Sequence, residues 1–417
     1  MKRLKCIMIR GSVVGLAVAA VMGAGAVFGG TAFAAEESGG KAQVKEGWIS
    51  EDGGDKYYKN GKTYTGWHYM GSNEGEKTPH WSYFGKNGVI YTGWHKMGKN
   101  EGETAPHWSY FGSNGWLRVN WQQLGKGTAN PDGNTEKHWS YFGPNGWLRT
   151  NWQQLGKGTA NPDDNSEKHW SYFGDNGWLR TGWQHLGRGT ANPDGNSEKH
   201  WSYFGNNGWL RTGFQTMGTK ANPDGSSKQH LSFFGSNGWL VTDRLINENN
   251  VQYISDSRGW LKKVESEYDK TLARAMQLVE NVTKAGMTKE QKLRACYDHI
   301  RDSYPEVRPR TPHYAGEGWH TLYANDIFLD KKGNCFSTAA AFAFMAKAIG
   351  YDNVYAISVN GHGWTEIDGL VYDAERERHH KGSYFALSYN TPIGTQDALE
   401  QYQWIFNAKS PYAKIKI

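Results

Sequence analysis

Long hydrophobic runs are missing from this sequence after residue 34, and the mean hydropathy is −0.76. That argues against a membrane protein, since only Met1–Ala34 could enter a bilayer. Charge of one sign is also missing. The formal charge is +6, and it falls to +2 once Lys2, Arg3, Lys5 and Arg10 leave with the N-terminal segment described below. A chain so nearly neutral gives no reason to expect nucleic acid as a partner. Cysteine is scarce, with Cys6, Cys296 and Cys335 alone among 417 residues. Cys6 lies in that same N-terminal segment. A disulfide between the other two would silence any nucleophile at Cys335. Helical periodicity places Cys296 with Leu293, Ile300 and Tyr304 on one apolar face, which favours a buried thiol there instead.

The N-terminus has the order of a secretory signal. A basic start precedes an apolar, small-residue run from Val13 to Phe28, and Ala32-Phe33-Ala34 forms a cleavage site between Ala34 and Ala35. Residues 35–46 read as a linker. The mature chain is expected to have no membrane span.

Aromatics and glycine are abundant: 20 Trp, 23 Tyr and 53 Gly. Much of this excess sits in a repeat spanning residues 47–263. The phrase His-Trp-Ser-Tyr-Phe-Gly begins at His80, His107, His138, His169 and His200, with a degenerate copy at His230. A near-constant period of this kind indicates a stacked architecture. Within one unit, Trp139–Phe142 reads as a strand and Pro144-Asn145-Gly146 as a hairpin turn with positive φ at its centre. Trp147–Thr150 then reads as the return strand, and Gly156–Lys168 as a polar loop. Lone hairpins of this size have no core, so stacked rings must supply one. A minority of the rings could border a groove and hold a ligand. The histidine opening each phrase is expected to have a packing or turn role.

The aromatic strand, Asn-Gly and Thr-Gly-Trp (Thr65-Gly66-Trp67, Thr92-Gly93-Trp94, Thr181-Gly182-Trp183) together resemble the cell-wall-binding repeats of choline-binding and glucan-binding proteins. The resemblance implies an all-β hairpin solenoid that binds cell-wall glycan or teichoic acid. Trp94, Trp108, Trp121, Trp139, Trp152, Trp170, Trp183 and Trp201 are the wall-ligand candidates. The sequence departs from that pattern in three ways: an inserted loop, Asn-Trp in place of Gly-Trp at Asn120 and Asn151, and an added Trp at 116, 147, 178 and 209.

Residues 264–417 read as one α+β domain, helices first. Helices are expected over Val264–Ala285, from Thr288 (a capping box with Gln291) to Tyr304-Pro305, over Gly318–Leu329, and from Cys335 to Ile349. Cys335 then opens a helix, where unpaired N–H groups favour an anion. Val354–Val359 is a strand, and Gly361–Ile367 and Leu370–Asp373 form a hairpin about Asp368-Gly369. Its register sets Trp364 opposite Asp373, with His362 the diagonal neighbour and Glu366 beyond Trp364. A thiol, an imidazole and a carboxylate in this order suit acyl transfer. His379-His380 with His313 or His320 hint at zinc, but their spacing fits no strong metal motif. No metal or other cofactor is expected.

Gly333, Cys335 and Ala339, then His362-Gly363-Trp364-Thr365-Glu366, then Val371-Tyr372-Asp373 resemble the transglutaminase-like superfamily, of papain-like fold. That resemblance implies Cys335 as nucleophile, His362 as base and Asp373 as orienting acid, with Trp364 and Glu366 supporting. The oxyanion donor would be the Cys335 N–H, or less directly Trp319. The chain is thus expected to be a secreted cysteine enzyme acting on peptide or protein amides. A non-catalytic surface adhesin and a peptidoglycan-peptide hydrolase are the alternatives.

Overall fold

The computed structural model describes residues 44–125, 136–156, 167–187, 198–218, 222–223, 225–307, 317–359, 361–389 and 413–417. The signal segment, with Ala34 and Ala35, lies outside them. The chain divides into two compact units, Met1–Tyr64 and Thr65–Ile417. In the first, Gly47–Glu51, Gly54–Lys59 and Lys62–Thr63 make a three-stranded antiparallel sheet. Trp48 packs edge-on against Tyr57 at 5.3 Å.

The second unit begins with six antiparallel hairpins among the described residues, from Gly66–Met70 with His80–Phe84 to Gly213–Met217 with His230–Phe234. Their pairing corrects the sequence reading. His138–Phe142 pairs with Asn120–Leu124, across the polar loop and not across Asn-Gly. The expected return strand Trp147–Thr150 shrinks to a single bridge, Phe142 to Leu148. The local hydrogen bonds are kept, from the Gly143 N–H to the Trp147 carbonyl and from the Arg149 N–H to the Tyr141 carbonyl, while the Leu148 N–H points the other way and donates to the Trp108 carbonyl of the preceding hairpin at 2.8 Å. The Asn-Gly step is a tight turn closed by the Gly146 N–H on the Gly143 carbonyl. Only Gly146 is left-handed there (φ 74°), while the Asn145 side chain accepts from the Trp147 N–H.

The departures in the repeat now have reasons. Asn120 and Asn151 both sit at φ 60°, where the other hairpins have Gly66, Gly93, Gly182 and Gly213. Asparagine is one of the few residues other than glycine that tolerates this region. The added tryptophans are partners for the repeated histidines. His80 stacks on Trp116, His107 on Trp147 and His138 on Trp178, with ring centres 4.0, 4.1 and 3.7 Å apart. Each stack ties one hairpin to the turn of the next, and buried Ser82 and Ser109 donate to the Gly115 and Gly146 carbonyls of those turns. A continuous aromatic core results, in which Trp121 meets Tyr141 of its own hairpin and Phe173 of the next.

After a last three-stranded sheet (Leu245–Glu248, Val251–Ser255, Leu261–Lys263) come four helices. They are α1 (Glu267–Val282), α2 (Lys289–Ser303), α3 (Trp319–Phe328) and α4 (Cys335–Ile349). The first two start where their caps require: Ser266 accepts from the Asp269 N–H, and Thr288 from the Gln291 N–H. Alanine-rich and almost wholly buried, α4 is the core helix. It packs on α1, α2, α3 and the sheet, and stops at left-handed Gly350. That sheet is antiparallel, in the order Leu370–Tyr372, His362–Ile367, Val354–Val359, Ala413–Lys416. A short helix, α5 (Ala374–His379), follows the first of these. No helix among the described residues is long and apolar enough to cross a membrane.

Candidate active site

Gly333 lets the turn before α4 fold closely against Ser337, and Gly363 lets the His362 strand approach the start of α4. A Cβ on Gly333 would lie 2.4 Å from the Ser337 Cβ, and one on Gly363 would lie 3.0 Å from Phe336 and 3.1 Å from the Ile357 carbonyl. Asn334 caps α4, its Oδ1 accepting from the Phe336 and Ser337 N–H groups. Cys335 is therefore the first helical residue, half-buried and unbridged, with Sγ 4.0 Å from the Gly361 carbonyl. Its own N–H belongs to the first turn, which has no internal acceptor. Close by, Trp319 packs edge-on against Phe336 at 6.3 Å, and its buried indole N–H has no hydrogen bond among the described residues.

His362 and Asp373 meet, with Nε2 and Oδ2 2.6 Å apart. The ladder delivers the strand as expected: Thr365–Tyr372, Glu366–Val371 and Ile367–Leu370 pair about Asp368 (φ 50°) and Gly369 (φ 82°). It ends at Tyr372, however, one residue short of the expected Trp364–Asp373 pair. Asp373 is held by something the sequence reading missed. It caps α5, with Oδ1 accepting from the Arg376 N–H at 2.9 Å, which leaves Oδ2 for the imidazole. The carboxylate is 1% exposed. Burial alone would lower the His362 pKa. The charge and hydrogen bond of Asp373, joined by a hydrogen bond to Cys335, outweigh it and raise the value to about 10. Since Asp373 takes Nε2, Nδ1 is the ring nitrogen left open to another partner.

Trp364 and Glu366 lie further along the strand. Trp364 is fully buried and donates to the Tyr389 hydroxyl at 3.3 Å; that hydroxyl donates to Glu366, which also takes both short contacts from Lys414. Tyr389 and Lys414 had no signal in the sequence, since both are distant from the motif. Cys296 is fully buried in the core, and burial pushes its thiol up to about 12.

Among the tryptophan candidates, Trp121 and Trp152 are buried between hairpins, while Trp94, Trp108, Trp139, Trp170, Trp183 and Trp201 are half-buried. They form right-angled pairs: Trp94–Trp108, Trp121–Trp139, Trp152–Trp170 and Trp183–Trp201, each 6.3–6.4 Å between ring centres. The histidines with a zinc hint do not gather as a group. His313 lies outside the described residues, His320 stacks on Phe344, and His379 lies between Glu306 and Glu375.

Residues 276–387 match the family model of the transglutaminase-like superfamily. They form a transglutaminase-like domain. The repeat region is similar to solved choline-binding proteins. CbpF, in a complex with ipratropium, is 22% identical over 52% of this chain and 59% of its own, with a TM-score of 0.36. CbpJ from Streptococcus pneumoniae is 21% identical over 52% and 86%, with a TM-score of 0.20. The autolysin LytC from the same organism is 16% identical over 52% and 46%, with a TM-score of 0.17. This chain therefore spans less than two thirds of that CbpF chain and of LytC. No curated protein matches it.

Proposed function

We propose that this protein is a secreted, wall-attached cysteine enzyme that transfers acyl groups from peptide or protein amides through a thioester. The reading rests on the 2.6 Å contact between His362 and the buried Asp373 carboxylate, beside a half-buried thiol that opens a helix. In this reading the Cys335 thiolate attacks the amide carbonyl. The carbonyl oxygen takes the negative charge and meets the Cys335 N–H, with the Trp319 indole N–H as second donor. The His362 imidazolium gives its proton to the departing amine as the C–N bond breaks. Neutral His362 then takes a proton from water or an amine, whose attack on the thioester releases acid or a new amide and restores the thiolate. Asp373 holds the ring orientation and stabilises its charged form.

Residues 1–34 serve in this reading as the signal, 35–46 as a linker, 47–263 as the wall anchor and 264–417 as the enzyme domain. Right-angled tryptophan pairs along the hairpins support the anchor, since an indole left partly open at such a corner offers a face to sugar rings or to a quaternary ammonium group.

Labelling with iodoacetamide tests the chemistry. Cys335 should react far faster than a free thiol, and His362→Ala should remove the advantage. A rate equal to that of a free thiol sinks the proposal. Adding a primary amine to a peptide-amide assay separates transamidation from hydrolysis by the product formed.

A further inference from the structure

Among the described residues outside the Cys–His–Asp site, one cluster brings metal-ligating atoms together. His379 Nε2 lies 3.1 Å from Glu306 Oε2 and 3.3 Å from Glu375 Oε1. One donor atom from each of the three residues lies within 4.8 Å of the others. Ligands about 2.0–2.1 Å from a tetrahedral ion stand roughly 3.3 Å from one another, so both measured edges suit a zinc-sized ion. One imidazole and two carboxylates also form a donor set that such an ion accepts. We propose that Glu306, Glu375 and His379 form a divalent-metal site of the zinc class, with its fourth position open to solvent.

The surroundings favour a built site. Glu375 is buried and its carboxylate is oriented. Arg378 reaches Oε2 at 3.4 Å, while its other nitrogens are held by the Arg301 and Ile300 carbonyls, so Oε1 is left toward His379. Partners that orient a ligand in this way are as characteristic of metal sites as the ligands themselves. Glu306 and His379 are exposed, giving an ion a path in.

The placement gives the ion a role. Glu306 bridges to Gly333, whose carbonyl accepts from the Val307 N–H at 2.9 Å, two residues before Cys335. Glu375 and His379 belong to α5, the helix capped by Asp373. A bound ion would clamp the segment leading into the thiol to the helix that holds the carboxylate.

The site is argued from ligand geometry alone, so its test is independent of the acyl-transfer reading. Full-length Cys335→Ala chain, stripped with chelator, removes zinc binding at the thiol itself. Titration with ZnCl2 should show one ion per chain and a raised Tm. His379→Ala and Glu306→Gln, both at exposed positions, should each weaken binding at least about tenfold, a typical loss for a disturbed metal shell. Glu375→Gln should do the same if circular dichroism shows it folded. No uptake by the stripped chain, or uptake unchanged in the two exposed variants, overturns the proposal. So does a Tm that follows acidification but not zinc, which would identify a protonated histidine between two carboxylates.

Discussion

At His362 burial and charge oppose each other, and the Asp373 carboxylate prevails, raising the imidazole to about 10. Its protonated form therefore stabilises the fold fully below about 6.5, the ordinary histidine value, and that contribution is lost as pH rises through about 10. If acylation needs the imidazolium, the alkaline limb of kcat/KM reports the same group. Asp373→Asn should move that limb down toward the ordinary histidine range and lower kcat/KM by about 10²–10⁴-fold. A pH profile that keeps its shape in this variant would show that the carboxylate is not coupled to the reaction. Gly363→Ala tests position. Its methyl would press on Phe336 and the Ile357 carbonyl, so we expect a loss of about 1–3 kcal/mol in urea unfolding. Activity should fall more than that of a surface variant of equal stability. Cys335 at a helix start and the meeting of His362 with Asp373 were legible because each residue carries its chemistry in its type and local spacing. The Asn334 cap was missed, although an asparagine just before an apolar helical run is its usual signal. Tyr389 was not, because nothing local links it to Trp364.

Among the elements, α4 bears most on stability. It was readable from the sequence in both type and limits, because a polar turn precedes it, Gly350 ends it and its alanines and phenylalanines keep to helical spacing. Phe344 is completely buried, and Phe344→Ala should cost about 3–5 kcal/mol, measured by denaturant unfolding. The array hairpins were misread at one point, since a tight Asn-Gly turn predicts a local return strand. The Leu148 N–H faces away from Phe142 and reaches the Trp108 carbonyl of the neighbouring hairpin, a partner that cannot be seen within a single unit. Asn151 gives the matching test at this scale. At φ 60°, Asn151→Gly should leave the melting temperature nearly unchanged, whereas Asn151→Val should cost about 1–2 kcal/mol. Equal melting of the two variants would refute the backbone argument.

For the whole molecule, the repeat predicts modular behaviour. Units that contact only their neighbours can be removed in register. Deleting residues 120–181 joins Val119 to Gly182, which occupies the same left-handed position as Asn120. The shortened protein should fold and keep the Cys335 labelling rate, while binding to purified cell walls should fall. Unchanged wall binding would point to an anchor elsewhere, and lost labelling would show that the transglutaminase-like domain depends on the length of the array.

By itself the sequence determined what periodicity and residue chemistry can carry. That includes a repeated aromatic array, an α+β domain after it, the limits of α4, the Asp-Gly hairpin and the order of thiol, imidazole and carboxylate. These are local properties, set by side-chain spacing and backbone preference within about a dozen residues. Tertiary structure decided that Leu148 would join the preceding hairpin and why each repeat keeps a histidine and an added tryptophan. It also decided that Asp373 is held by a helix N-terminus and that Glu306 meets Glu375 and His379. Apart from the Asp373 cap, made to Arg376 three residues on, each of these is a contact between segments far apart in the chain, where the partner, and not the local preference, sets the outcome.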